Sequence, residues 1–389
     1  MDFRFGDAEE ALRTEVRAFL QGALPAVETH FHPDVPGGDD FYEALAFNKK
    51  LAARGWIAPA WPKEYGGLGA TIYEQMVFSE EFGYYGAPDN GTRAFGVGML
   101  GPTLIVHGTE DQKREHLARI TSAEAVWCRG YSEPGSGSDL ASLQTRAVRD
   151  GDDFIINGQT IWTSGGHGAN WIFLLARSDP EAPKHKGISF FMLDMRTPGV
   201  TVRPLVNMAG RHDFNEVFFE DVRIPRANLV GEENRGWYVG MTLLDFERSG
   251  VARSGAQRRT LELFGRWLRG TSTETRRKAR LGYAELLIEN NVARALGYRI
   301  GDMQTRGKHP SYEASMVKVF LSELSQRMYN FGLNALGLRG QLRPGDPHAS
   351  LLGEFAENYM LISPASVYSG SNEVQRNIIA SRGLGLPRD

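Results

Sequence analysis

Tyr131-Ser132-Glu133-Pro134-Gly135-Ser136-Gly137-Ser138-Asp139 is the stretch on which the reading of this chain turns. It sets the hydroxyls of Ser132, Ser136 and Ser138 beside two glycines. Glycine lets backbone N–H groups approach a ligand closely, and hydroxyls can donate or accept. An ordinary capping turn, with Ser138 or Asp139 starting a helix, accounts for the same letters. A second segment follows, Asn157-Gly158-Gln159-Thr160-Ile161-Trp162-Thr163-Ser164-Gly165-Gly166. It reads as a hairpin turn, then a strand carrying Trp162, then the hydroxyl pair Thr163 and Ser164 at a glycine-rich strand end. A Trp beside small polar residues suits the face of a planar heterocycle. A core Trp bonded to backbone through its N–H is the alternative.

The text on either side differs in kind. Upstream, Ala8, Ala11, Leu12, Val16, Phe19 and Leu20 recur with a helical period, and further helices are expected over 41–53, 71–82 and 110–120. Around the two segments, short β-rich runs at 154–158, 171–176, 188–194, 200–205 and 216–219 are separated by Gly, Pro, Asn and Asp, which indicates a small all-β domain. Downstream, 237–269, 274–302, 311–337 and 349–363 make four long helical candidates, and four long helices suggest a bundle. The expected division is 1–126, 127–235 and 236–389.

Composition narrows the function. The chain has 389 residues, 41% hydrophobic and 23% charged, which supports a packed core and excludes global disorder. Forty-four basic against 47 acidic residues leave a net charge of −3, which argues against a dedicated nucleic-acid binder. A single cysteine excludes an intramolecular disulfide and a finger-type zinc site, and it fits a reducing, cytoplasmic setting. The N-terminal residues lack the apolar run of a secretory signal, and no stretch approaches the roughly 20 apolar residues of a membrane span.

Other patterns are decoys. Gly96-Val97-Gly98-Met99-Leu100-Gly101 matches the dinucleotide fingerprint, but a turn rather than a buried strand precedes it, so close helix packing through small residues is the better reading. His30, His32 and Asp34 sit in a Pro/Gly-rich stretch that reads as a solvated loop, and no metal is expected. Cys128 reads as a small buried hydrophobe.

Together the two glycine- and hydroxyl-rich segments resemble the acyl-CoA dehydrogenase family over nearly the whole chain. Trp61-Pro62-Lys63-Glu64-Tyr65-Gly66-Gly67-Leu68-Gly69, Gly101-Pro102-Thr103-Leu104, Gly231 to Trp237, and Tyr368-Ser369-Gly370-Ser371-Asn372-Glu373-Val374-Gln375-Arg376-Asn377 support the likeness in order. The resemblance implies an α+β multidomain chain with an N-terminal helical domain, a middle β-barrel and a C-terminal four-helix bundle. It implies FAD, held by Tyr131, Ser132, Trp162, Thr163 and Ser164 and by Ser371 and Glu373 of the C-terminal loop. Ser138, Arg248 and Tyr368 fall where the family holds acyl-CoA. The implied reaction removes an α-proton and transfers a β-hydride to flavin N5. The electrons pass on to an electron-transfer flavoprotein, as in β-oxidation and other lipid metabolism.

Many members carry the catalytic base directly after the loop tyrosine, where this chain has Ser369. A serine hydroxyl with no partnering base does not deprotonate an α-carbon. A subset of the family places the base on the first bundle helix, and the residue matching it in Leu243-Leu244-Asp245-Phe246-Glu247-Arg248-Ser249 is Glu247. On a helix its i±3 and i±4 neighbours are Leu243, Leu244, Gly250 and Val251, none of them charged. Such a carboxylate has a raised pKa once water is excluded, which suits a general base. A structural salt bridge to another helix is the alternative.

The family's Arg…Phe-Gly and Gln-x-x-Gly-Gly elements are eroded here, to Phe264–Thr273 and Leu333–Gly340. Both normally serve the cofactor across a subunit interface. Their loss is similar to heteromeric members such as the steroid side-chain dehydrogenases, so a homo- or hetero-oligomer, dimer or tetramer, is expected, with a partner chain supplying part of the FAD site. A flavin monooxygenase or oxidase on the same fold, and a non-catalytic subunit of a heteromeric dehydrogenase, are the competing readings.

Overall fold

The structure, a computed structural model, describes residues 5–29, 41–242 and 249–387. His30, His32 and Asp34, and the base candidate Glu247 with Arg248, lie outside the described residues. The helices among the described residues are α1 (Asp7–Ala23), α2 (Phe41–Ala53), α3 (Ile72–Tyr85), α4 (Gly101–His107), α5 (Glu110–Thr121) and α6 (Gly236–Thr242). They continue with α7 (Val251–Arg269), α8 (Thr273–Thr305), α9 (Tyr312–Leu336), α10 (Glu354–Ile362) and α11 (Asn372–Ile378). The strands are β1 (Trp127–Gly130), β2 (Arg146–Asp150), β3 (Asp153–Thr160), β4 (Trp171–Arg177), β5 (Ile188–Asp194), β6 (Val200–Leu205), β7 (Phe214–Pro225) and β8 (Leu229–Val230). Contacts divide the chain into two units. One comprises Met1–Val35, Ala70–Ala87 and Arg248–Asp389, the other Pro36–Gly69 and Pro88–Glu247.

In the helical unit, α3 is the centre. Thr71 and Glu74 close a capping box at its start, and Gly86 in the left-handed region ends it. Glycines let α3 and α7 approach: a Cβ on Gly83 would lie 1.9 Å from the Ala252 carbonyl oxygen, and one on Gly255 would lie 2.4 Å from that of Glu80. Side by side on α3, Glu80 and Glu81 are both fully buried. Buried carboxylates persist only when paired. Arg13 of α1 donates to Glu80 at 2.9 Å and to Glu81 at 2.5 Å. Arg17 forks onto Glu81 at 2.8 and 3.0 Å. Arg294 and Tyr298 of α8 reach Glu80 at 2.5 and 2.8 Å, and Arg258 of α7 reaches it at 3.3 Å. Three helices, α1, α7 and α8, therefore converge on two adjacent carboxylates of α3. A separate apolar core joins α7 to α10, with Phe264, Leu324, Met328, Tyr329 and Phe355 at its centre.

The sheet unit holds eight strands in the order β6-β7-β3-β2-β4-β5-β8, with β1 lying parallel beside β4. The order ends at β6 and β8 without joining them, so the sheet is not the closed barrel that the resemblance implies. Closure is weak at its middle too, since β2 meets β4 at a single register pair, Arg146 with Arg177. Strands β4 and β5 are buried at every position but the last, as expected of continuous apolar runs covered on both faces. Asn157-Gly158, expected as a hairpin turn, instead makes a bulge inside β3 against β7. Gly158 has φ of 149°, and Asn157 holds the facing Asp221 through backbone and side chain at 2.9 and 3.0 Å. The Gly96–Gly101 run serves packing: a Cβ on Gly101 would sit 1.8 Å from the Trp61 ring.

The C-terminal helices are more broken than their periodicity suggests. The helix expected over 237–269 is represented by α6 and by α7, which begins afresh after Gly250 at φ of 69°. The helix expected over 349–363 is α10, which is shorter because Leu351 and Leu352 take positive φ ahead of it.

Burial pushes the Glu80 pKa upward, and the hydrogen bond and charge of Arg294, with Arg13 and Arg258, more than reverse it, leaving it below the usual carboxylate value. Its stabilising effect is complete above the unfolded carboxylate pKa and is lost as pH falls through the lower folded one. Glu80→Gln is expected to cost about 3–5 kcal/mol in denaturant unfolding at neutral pH and to reduce the acid-induced loss of stability. An unchanged midpoint would show that the cluster is not what holds α1 to α3.

Candidate functional site

In the sheet unit the two segments singled out in the sequence meet. The chain leaves β1 through Tyr131 and Ser132, and the Ile161 N–H donates to the Ser132 carbonyl at 2.8 Å. Glu133 fixes the loop that follows: its carboxylate accepts the N–H groups of Gln144 and Thr145, each at 2.7 Å. Glu133 and Ser136 exchange backbone hydrogen bonds at 2.9 and 3.0 Å. Ser136 turns inward to the Asp139 carbonyl at 2.9 Å, while Ser138 stays exposed.

Trp162 is strained. It has φ of 61°, a region that bulky side chains occupy only at a cost of about 1–3 kcal/mol. The residue is left 56% exposed, with the ring of Phe214 edge-to-face at 5.8 Å. The neighbours enforce the strain. Thr163 and Asn215 exchange backbone bonds at 3.0 Å, and the Asn215 amide also donates to the Thr163 carbonyl at 3.0 Å. Gly165 N–H donates to the Asp213 carbonyl at 3.1 Å. The Thr163 hydroxyl is buried and spent on Thr160 at 3.1 Å, whereas Ser164 is half-buried. Tyr131 packs edge-on to Phe173 at 5.9 Å, and its buried hydroxyl has no hydrogen-bond partner among the described residues. Burial pushes the Tyr131 pKa upward.

In the helical unit, Tyr368 accepts a hydrogen bond from Arg253 at 3.1 Å. Ser369, in the place of the common base, is exposed at φ of 56°. Ser371 caps α11 by accepting the Val374 N–H at 3.3 Å, and Glu373 lies exposed in its first turn. Asn372 anchors this loop. Its side-chain oxygen accepts from Lys318 at 2.7 Å and from Ser322 at 3.1 Å, and its amide donates to Glu323 at 3.2 Å. Glu323 also pairs with Arg376. The sequence reading missed Lys318, Asn372 and Asn215. Asn372 lies inside the quoted C-terminal motif but was read only as loop, and the tie of Asn215 to Thr163 spans 52 residues.

The chain matches family descriptions over three consecutive stretches: acyl-CoA dehydrogenase N-terminal domain at 6–124, middle domain at 128–222 and C-terminal domain at 234–384. The chain belongs to the acyl-CoA dehydrogenase family. The acyl-CoA dehydrogenase IpdE1 of Mycobacterium tuberculosis (strain ATCC 25618 / H37Rv) is 38% identical over 359 residues, covering 90% of this chain and 89% of that protein. A solved structure described as the Tcur3481-Tcur3483 steroid ACAD is 35% identical and superposes with a TM-score of 0.91 over 100% of both chains. The ChsE4-ChsE5 complex from Mycobacterium tuberculosis is 32% identical, with a TM-score of 0.86 over 100% of both chains. Members of the family are FAD flavoproteins.

Burial and then the charge of Arg253 lower the Lys318 ammonium to a pKa of about 8, with Arg376 adding to the effect and Glu373 and Glu323 opposing it. The folded chain then holds fewer protons than the unfolded one between that value and the usual lysine range, so stability rises with pH across this window. Lys318→Met is expected to flatten that rise in unfolding measured from pH 7.5 to 10. A rise of equal size in the variant would assign the titration to another group.

Proposed function

We propose that this chain catalyses the FAD-dependent α,β-dehydrogenation of an acyl-CoA thioester, with Glu247 as the base. The observation that carries the reading is the Ser132–Ile161 hydrogen bond, which ties the Ser-Glu-Pro loop to the strained, exposed Trp162. An exposed indole, and a Tyr131 hydroxyl that is buried without a hydrogen-bond partner among the described residues, fit a planar polar cofactor. Tyr131, Ser132, Trp162, Thr163 and Ser164 are the proposed flavin-holding residues, with Ser371 and Glu373 of the C-terminal loop. When bound, FAD supplies the acceptor for the β-hydride at N5. Glu247 takes the α-proton. Ser138, Arg248 and Tyr368 hold the thioester, the last oriented by Arg253. An electron-transfer flavoprotein is the proposed final acceptor.

The proposal includes an unlike partner chain, in line with the erosion at 264–273 and 333–340 and with solved relatives whose names pair two chains. It keeps domain limits at 126/127 and 235/236, which the three family matches support. A cytoplasmic setting accords with a single free, buried cysteine, and among the described residues no helix is long and apolar enough to cross a membrane.

Two outcomes are expected. Anaerobic acyl-CoA bleaches the flavin band of the holoenzyme, and Glu247→Gln keeps fold and flavin but slows bleaching at least about a thousandfold, within the usual general-base range. Near-normal reduction by that variant would remove Glu247 from the mechanism. Chain expressed alone is expected to carry substoichiometric FAD that co-expression with its partner restores; full occupancy alone would overturn the shared site.

A further inference from the structure

One face of α9 holds the chain that follows α10. Lys318, Ser322 and Gln326 are spaced i, i+4 and i+8, so they lie in a row along that helix. Gln326 donates to the Ser363 carbonyl at 2.8 Å. Ser322 donates to the side-chain oxygen of buried Asn372 at 3.1 Å, and Lys318 to the same oxygen at 2.7 Å. Lys318 also reaches the Ser366 carbonyl at 3.4 Å. Its ammonium therefore bonds the chain on both sides of the loop 367–371. Ser322 has a single hydrogen, contended for by the Val319 carbonyl and Asn372, whereas an ammonium has three.

The loop needs such a tie. Ser369 and Gly370 take φ of 56° and 83° in succession. A residue other than glycine keeps a positive φ only where its surroundings over-determine it. Val367 and Ser369 are exposed, so packing of their side chains does not supply the constraint. Hydrogen bonds do. The Val367 and Tyr368 N–H groups donate to the Pro364 carbonyl at 2.8 and 3.1 Å, and Arg253 of α7 donates to the Tyr368 hydroxyl. Lys318 then joins Ser366, before the loop, to Asn372, after it. Bonds from a charged donor are roughly twice as strong as neutral ones, which singles out this tie among those made by the row on α9.

We propose that Lys318 is a positioning residue for the dehydrogenation: by joining Ser366 to Asn372 it fixes the loop that presents Tyr368 to the thioester and Ser371 and Glu373 to the flavin. This rests on the roles proposed above for those three residues and adds the side chain that sets their place. Lys318 acts through the loop and touches neither cofactor nor substrate.

The test uses the holoenzyme, with its partner chain where one is required, as wild type and as Lys318→Met, Lys318→Gln and Lys318→Arg. Met removes every donor, Gln keeps uncharged donors on a shorter stem, and Arg keeps the charge and several donors. Amide hydrogen exchange across 363–378 reports the loop, and release of FAD on dilution reports its hold on the cofactor. Anaerobic bleaching with octanoyl-CoA, dodecanoyl-CoA and cholyl-CoA reports the reaction. With Lys318→Met, exchange at 367–373 and the rate of FAD release are each expected to rise about tenfold, the worth of a charge-assisted hydrogen bond. Half-saturating thioester is expected to rise more than the limiting bleaching rate falls. Lys318→Gln is expected to keep part of the wild-type behaviour and Lys318→Arg most of it. Wild-type exchange at 367–373 in both Lys318→Met and Lys318→Gln overturns the proposal. So does a rise spread evenly over α7 to α11 in step with a lower unfolding midpoint, which would make Lys318 a packing residue. An Arg variant no better than Met, or a loosened loop with unchanged FAD release and thioester binding, overturns it too. If Lys318→Met does not fold, the Gln and Arg variants decide by the same comparison. A loosened loop with faster FAD release, together with a wild-type flavin that no thioester bleaches, supports the tie and overturns the dehydrogenase reading. Normal bleaching with an unchanged loop overturns only the tie.

Discussion

Two adjacent buried carboxylates on α3 set the terms for the helical unit. Glu80 and Glu81 face α1, α7 and α8 through Arg13, Arg17, Arg258, Arg294 and the Tyr298 hydroxyl. Leaving either acid unpaired would cost several kcal/mol, a large part of a domain's net stability. This explains why α1 and α3, N-terminal in sequence, belong to the same compact unit as the C-terminal helices. The glycine contacts of α3 and α7 have the same consequence, because they bring the backbones too close for any side chain to intervene.

The sheet unit is organised differently, with backbone strain at Trp162. Trp162 and the loop around it are held by backbone groups of Asn215, Asp213 and Ser132 and by the side-chain amide of Asn215. Such over-determination is what allows an unfavourable backbone conformation to persist, and it is common at functional sites. The Tyr131 hydroxyl, without a hydrogen-bond partner among the described residues, lies one residue past β1, the strand that feeds this loop.

Much of this was legible in the letters. Expected strands at 171–176, 188–194 and 200–205 match β4, β5 and β6 closely, because fully buried or alternating runs bounded by Gly and Pro admit few other readings. Helices were expected over 41–53, 71–82 and 110–120 and, from its period, near Ala8–Leu20, and α2, α3, α5 and α1 lie there. What failed was local backbone geometry. Asn157-Gly158 is a turn signal by composition, but pairing with β7 turns it into a bulge, a tertiary choice the dipeptide does not record. Gly250 interrupts a run that reads as one helix, at φ of 69°, and Leu321 and Val317 leave no room there for a Cβ. The site was legible as two motifs and not as a set of partners. Asn215 and Lys318 act on residues 52 and 54 positions away, and no periodicity reports a contact of that kind.

The division of the chain also bears on its synthesis. Glu80 meets Arg294, 214 residues later, so α3 leaves the ribosome long before two of the helices that neutralise it exist. At about 5–20 residues per second the delay is roughly ten to forty seconds. During that interval the N-terminal segment holds two acids that only Arg13 and Arg17 can answer. The nascent sheet unit, whose strands are all translated by residue 230, can close first. Vectorial folding would therefore run from the middle of the sequence outward, with the first helices docking last.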